Sequence, residues 1–155
     1  MSSLSAAEWS PEVFDYDPPV RLEVREAPTR RAYRMSGTRQ TELIFRDIRG
    51  ADVPVLVTLP ARGEPPFPCV VLAHGFTSNK EEVTRQMGRA LVERGFGCIA
   101  MDLPKHGERP GGPPKELFGP DRQTAYQNIV QAVIDVRQTI DLAETAREVG
   151  FTDVH

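Results

Sequence analysis

The chain has 155 residues, enough for one ordinary domain, and its 39% apolar and 26% charged residues favour a packed core over wholesale disorder. Its 19 Lys and Arg stand against 22 Asp and Glu, and a net charge of -3 gives no general reason to expect nucleic acid as a partner. No apolar run approaches a bilayer span and MSSLSAAEWS lacks the basic segment and apolar core of a signal peptide, so the expected location is cytoplasmic, without a membrane partner.

Residues 1 to 28 read as a proline-broken lead, broken by Pro11, Pro18, Pro19 and Pro28, with Trp9, Val13, Phe14 and Tyr16 available to pack on a domain formed by 29–155. Arg31 to Met35 reads as a short strand, Ser36-Gly37 as a turn, and Glu42 to Ile48 as a strand. Arg49-Gly50-Ala51-Asp52 is a second turn. Val53 to Leu59 alternates, with Val53, Val55, Val57 and Leu59 on one side. Together these predict an antiparallel meander at a sheet edge, where Pro54 is tolerated. The arginines at 30, 31, 34 and 39 read as a solvated face, since no aromatic interleaving or glycine-rich loop accompanies them.

Cys69 to Ala73 is apolar without alternation, as in a parallel strand covered on both faces. His74-Gly75-Phe76 ends it. Ser78-x-x-Glu81 has the capping-box pattern, with Ser78 as cap. The predicted helix runs from about Glu81 to Arg94, with Val83, Met87, Ala90 and Leu91 as its buried stripe and Gly95 as its C-terminal cap. Phe96 to Met101 is a second buried strand, completing a parallel β-α-β unit. Asp102-Leu103-Pro104-Lys105-His106-Gly107 follows, then a Pro/Gly-rich loop to Pro120. A long helix then runs from about Arg122 to Glu148, with Tyr126, Ile129, Val130, Val133, Ile134, Arg137 and Ile140 at helical spacing, and Gly150 ends it.

HGFTSNKEE, Asp102-Leu103-Pro104-Lys105-His106-Gly107 and the helix around Asp135-Val136-Arg137 together resemble the N-terminal portion of the α/β-hydrolase superfamily. The lead FDYDPPVRLEVRE is similar to that of bacterial esterases and dienelactone-hydrolase-like members. The resemblance implies a partial α/β-hydrolase fold: an N-terminal antiparallel meander, a parallel β-α-β unit and a long helix, truncated before the nucleophile strand. It makes FTDVH the connection before that strand and leaves Cys69 to Ala73 as an open sheet edge, prone to self-association.

The resemblance also implies a small-molecule ester as substrate of the complete enzyme and an acyl-enzyme mechanism. The backbone N–H of Phe76 would serve as one oxyanion-hole donor, with Thr77 as the reserve and His74 and Gly75 shaping the loop. None of the triad is present: the chain has no Gly-x-Ser-x-Gly turn, and the family's acid and base come later still. The chain alone is therefore expected to be inactive. Two other readings stand beside this one: a non-catalytic module that pairs through its open edge, and part of a prolyl-oligopeptidase-like peptidase.

His106 reads as a loop histidine bonded to local backbone. Cys69 and Cys98 read as buried, inert thiols rather than nucleophiles. Histidines and cysteines lie too far apart for a metal site, and no dinucleotide or P-loop glycine pattern occurs, so no metal or cofactor is expected.

Overall fold

The computed structural model describes residues 10–17, 22–27, 34–145 and 151–154. Its centre is one six-stranded sheet. The strands are β1 (Val24–Glu26), β2 (Thr38–Arg46), β3 (Asp52–Pro60), β4 (Phe67–Ala73), β5 (Gly97–Met101) and β6 (Phe151–Val154), in the order β1-β2-β3-β5-β4-β6. The first three pair antiparallel, as does β3 with β5; β4 runs parallel to both β5 and β6. The meander and the parallel β-α-β unit expected from the sequence are both present. β1 lies within the stretch read as a lead. Of the strand read at 31–35, residues 31–33 lie outside the described residues, and Arg34 and Met35 are not in a strand.

The sheet is covered on both faces. Ile99 and Met101 of β5, Cys69 of β4 and Val53, Val55 and Val57 of β3 pack against Leu142 and Ala143 of the long helix α3 (Arg122–Thr145). Cys98 and Ala100 of β5 and Leu72 of β4 face the other way, toward Val83 and Leu91. Successive strand residues point to opposite faces. An apolar run in a central strand therefore supplies two cores at once.

Helix α1 (Lys80–Val83), a π-helical segment (Thr84–Gly88) and α2 (Arg89–Val92) follow one another without a break. Gly95 ends them at φ +85°, where its N–H donates to the Val92 carbonyl and the Phe96 N–H to that of Leu91. The expected buried stripe is corrected here. Met87 is 52% exposed and Ala90 is exposed, whereas Thr84 and Gly88 are buried. A Cβ placed on Gly88 would stand 3.3 Å from Cys98 Sγ and 3.1 Å from Thr84 Cγ2, so small residues set the closest approach of helix to sheet.

The stripe on α3 is also shifted. Val130, Ile134, Leu142 and Ala143 are buried as apolar packing, but Ile129 and Arg137 face outward, and Asp135, Gln138 and Thr139 lie inside. Two of the buried polar groups hold backbone. Gln138 Oε1 accepts from the Ile48 N–H at 3.2 Å, and Thr139 Oγ1 donates to the Asp135 carbonyl at 2.7 Å. Gly150, read as the end of this helix, lies outside the described residues.

Residues 151–154 correct a further expectation. Instead of a connection they form β6, with Phe67 opposite Phe151 and Cys69 opposite Val154. The central strand is thus no open edge at its start. Among the described residues the ladder with β6 ends at Cys69, leaving Val70–Ala73 without a neighbour on that side.

Candidate functional site at the strand tips

β4 and β5 are parallel neighbours, so the loops that follow them meet at one end of the sheet. The two loops are joined by two histidines in a reciprocal arrangement. The Leu103 N–H, after β5, donates to His74 Nε2, after β4, at 3.1 Å. The Thr77 N–H, after β4, donates to His106 Nε2, after β5, at 3.2 Å.

Each ring therefore accepts at Nε2 and carries its proton on Nδ1. Nδ1 of His74 lies 2.8 Å from the Gly75 carbonyl and Nδ1 of His106 lies 2.8 Å from that of Pro104, both suited to receive that proton. The ring centroids are 4.9 Å apart, and both side chains are buried. Burial holds His74 below the ordinary histidine value, only partly offset by the Gly75 carbonyl. Both ring nitrogens of His74 are thus engaged by backbone groups, one from each loop.

Beneath the histidines lies a buried ion pair. Lys80 is 1% exposed and Asp102 fully buried, with Nζ 3.0 Å from Asp102 Oδ2. Asp102 also accepts the backbone N–H of Lys80 at 2.9 Å and that of Glu108 at 3.0 Å. Glu81 Oε1 (2.7 Å) and Glu108 Oε2 (3.3 Å) complete the surroundings of the ammonium. Burial works against its charge, but Asp102 and Glu81 more than compensate, and Lys80 holds its proton above the usual lysine value. Gly107 adopts φ +55°, and a Cβ there would stand 2.2 Å from the Asp102 carboxylate. No side chain fits at that point.

The helix cap is Asn79 rather than Ser78: its side chain accepts from the Glu82 N–H at 2.8 Å. Ser78 instead closes the preceding turn, its N–H donating to the Gly75 carbonyl at 3.1 Å. Thr77 sits in that turn at φ +65°, a region β-branched residues avoid. Such strain persists where the surroundings enforce it, here through the His106 bond to the Thr77 amide.

Phe76 stands at the crown of the loop. Its side chain is 51% exposed, its ring 5.8 Å from that of His106 and 5.4 Å from that of Phe118. Among the described residues its N–H has no hydrogen-bond partner, in contrast to the Thr77 N–H held by His106. Gly75 is exposed, and a Cβ placed on it would meet nothing within 4 Å, so the approach to the loop is open.

The other nucleophile-type groups lie elsewhere. Burial pushes the Cys69 thiol up to about 12 and that of Cys98 up to about 11. No group of three or more His, Cys, Asp or Glu among the described residues could hold a metal ion, and no helix among them is long and apolar enough to cross a membrane. A cleft of about 580 Å³ lined by Thr38, Pro60, Arg62, Arg89 and Glu93 opens at the opposite end of the sheet, beside the start of β2 and the end of β3.

The sequence singled out His74, Gly75 and Phe76; Lys80, Asp102 and Gly107 stood in the quoted motifs without a role of their own. A signal was present: Lys80 is the first residue of a helix, where the helix dipole disfavours a cation. A lysine there calls for an acidic partner.

No family model matches the chain. Over 63 residues it is 41% identical to Esterase YjfP of Escherichia coli (strain K12), a match covering 40% of this chain and 25% of that protein. It superposes on a cold-adapted esterase from an Arctic intertidal metagenomic library with a TM-score of 0.55, at 22% identity, covering 87% of this chain and 52% of that one. A glucuronoyl esterase from Solibacter usitatus gives a TM-score of 0.58 at 12% identity, with 93% of this chain covered and 50% of that one. The chain thus has an esterase-like α/β-hydrolase fold in partial form. It spans about half the length of these solved structures, and its match spans a quarter of the curated relative.

Proposed function

We propose that this chain is the N-terminal part of a carboxylic-ester hydrolase and supplies one half of its oxyanion hole. In acyl transfer a nucleophile adds to the ester carbonyl, and the carbonyl oxygen becomes an anion that needs fixed donors. The observation that carries this reading is the N–H of Phe76, which has no hydrogen-bond partner among the described residues, in a loop locked from both sides by His74 and His106. A donor held in place before the reaction costs no reorganisation when charge develops. Gly75 lets a substrate come close to the backbone.

Relatives named as esterases support the ester as substrate class. The serine nucleophile belongs to the same proposal, since the 155 residues contain no Gly-x-Ser-x-Gly turn. On this reading the chain by itself does not turn over. Incubation with p-nitrophenyl acetate and a fluorophosphonate probe tests it. No saturable hydrolysis and no labelled serine are expected; labelling of any serine here together with turnover would contradict it.

A further inference from the structure

We propose that Phe76 and Phe118 form an apolar wall beside the Phe76 N–H. This wall favours esters with an aromatic or branched apolar group next to the carbonyl over esters of hydroxyl-rich alcohols. The inference rests on the oxyanion reading above and names the substrate class of that same site.

The two rings are 5.4 Å apart, tilted by 39°, and each is about half exposed, 51% for Phe76 and 54% for Phe118. Two large apolar side chains so placed beside an open amide present a surface that water wets poorly. Both are held from behind. The Phe76 ring meets the His106 ring edge-on at 75°, and His106 also fixes the Thr77 N–H next in sequence. Phe118 ends a short 3-10 helix, Pro114–Phe118. Asn128 of α3 anchors that helix, its Nδ2 donating to the Leu117 carbonyl at 2.8 Å and to that of Glu116 at 3.2 Å. At Gly119 a Cβ would stand 2.7 Å from the Thr124 side chain, so the loop lies directly on the start of α3.

A carbonyl oxygen accepting from the Phe76 N–H lies within one residue of the Phe76 ring. On this proposal one substituent of that carbonyl runs along the wall, where an aromatic group stacks against the exposed ring faces with a gain beyond area alone. A sugar hydroxyl placed there loses water and finds no polar side chain on the two rings.

The test is a titration of the isotope-labelled chain with ethyl benzoate and, separately, with a methyl pyranoside acetylated at one position and free at its other hydroxyls, read at the Phe76 and Phe118 ring signals. Ethyl benzoate should bind about fivefold tighter than the sugar ester. Phe118→Ala should erase that difference, Phe118→Leu should keep most of it, and Met87→Ala, an exposed apolar residue on the helix, should leave it unchanged. Equal affinities overturn the proposal, as does indifference to Phe118→Ala or a response confined to the cleft at Arg62 and Arg89. Methylphosphonate in the same sample, a tetrahedral anion without a ring, reads the oxyanion site separately. If it moves the Phe76 N–H while the two esters bind alike, only the wall fails. If it does not and ethyl benzoate still shifts both rings, the oxyanion reading fails instead.

Discussion

Lys80 meets Asp102 twice, through its backbone N–H to Oδ1 at 2.9 Å and through its ammonium to Oδ2 at 3.0 Å. One carboxylate therefore fixes both the start of α1 and the side chain that leaves it, and a third bond from the Glu108 N–H ties in the loop after β5. Removing one member of a buried pair leaves the other charge unpaired. Lys80→Met should lower the unfolding free energy by about 3 kcal/mol, measured by urea denaturation. A loss of no more than about 0.5 kcal/mol, as for a surface pair, would show that the pair is solvated.

Two glycines with positive φ make a paired comparison. Gly107→Ala would place a Cβ 2.2 Å from the Asp102 carboxylate, whereas Gly95→Ala meets nothing within 4 Å. Both carry the left-handed backbone penalty of about 1–2 kcal/mol. Only Gly107→Ala also displaces Asp102, and it should cost about 2 kcal/mol more than Gly95→Ala. Equal losses in thermal or urea unfolding would contradict the packing described.

Two buried groups give opposing pH dependence. His74 is held neutral by burial, below its ordinary value. The unfolded chain then binds the proton more readily, so stability is full above about pH 6.5 and falls as pH drops from there toward the depressed folded value. Asp135 is pushed up to about 6 by burial, against the pull of Arg109 2.9 Å away. Here the folded chain binds the proton more readily, so stability rises as pH falls from 6 toward about 4. His74→Gln should lessen the acid loss, and Asp135→Asn should steepen it. Unfolding curves from about pH 4.5 to about pH 7.5 read the two slopes.

Adjacent amides should exchange hydrogen at different rates. The Thr77 N–H donates to His106 Nε2, and the Phe76 N–H has no partner among the described residues. Amide exchange should show Thr77 protected and Phe76 rapid. His106→Leu should remove the protection of Thr77 without slowing Phe76. Equal protection of the two would mean that the loop does not distinguish them.

The sheet was legible because its signals are apolar runs and turn residues. Cys69–Ala73 and Gly97–Met101 are uninterrupted, and Arg49-Gly50 closes a turn on Asp47, whose carboxylate accepts the Arg49 and Ala51 N–H groups at 2.8 Å. Helix faces were less legible. Hydrophobic spacing favours Met87, but the helix lies on the sheet through Gly88, where a Cβ would already stand 3.3 Å from Cys98 Sγ and a longer side chain would hold the helix away. On α3 the same spacing passes over Gln138 and Asp135, buried because they answer the Ile48 N–H and the Arg109 guanidinium. Such partners are distant in sequence, and periodicity carries no record of them. In the loop, HGF directed attention to the turn after β4, but the tie between Lys80 and Asp102 spans 22 positions and shows only when β4 and β5 are placed side by side.

The proposal that the Phe76 amide receives a developing negative charge is met most directly by methylphosphonate added to the nitrogen-labelled chain. Among residues 74 to 78 the Phe76 N–H signal should move first and farthest, with Thr77 held still by His106. Movement of Thr77 ahead of Phe76, or no movement in this loop while other amides respond, would contradict it.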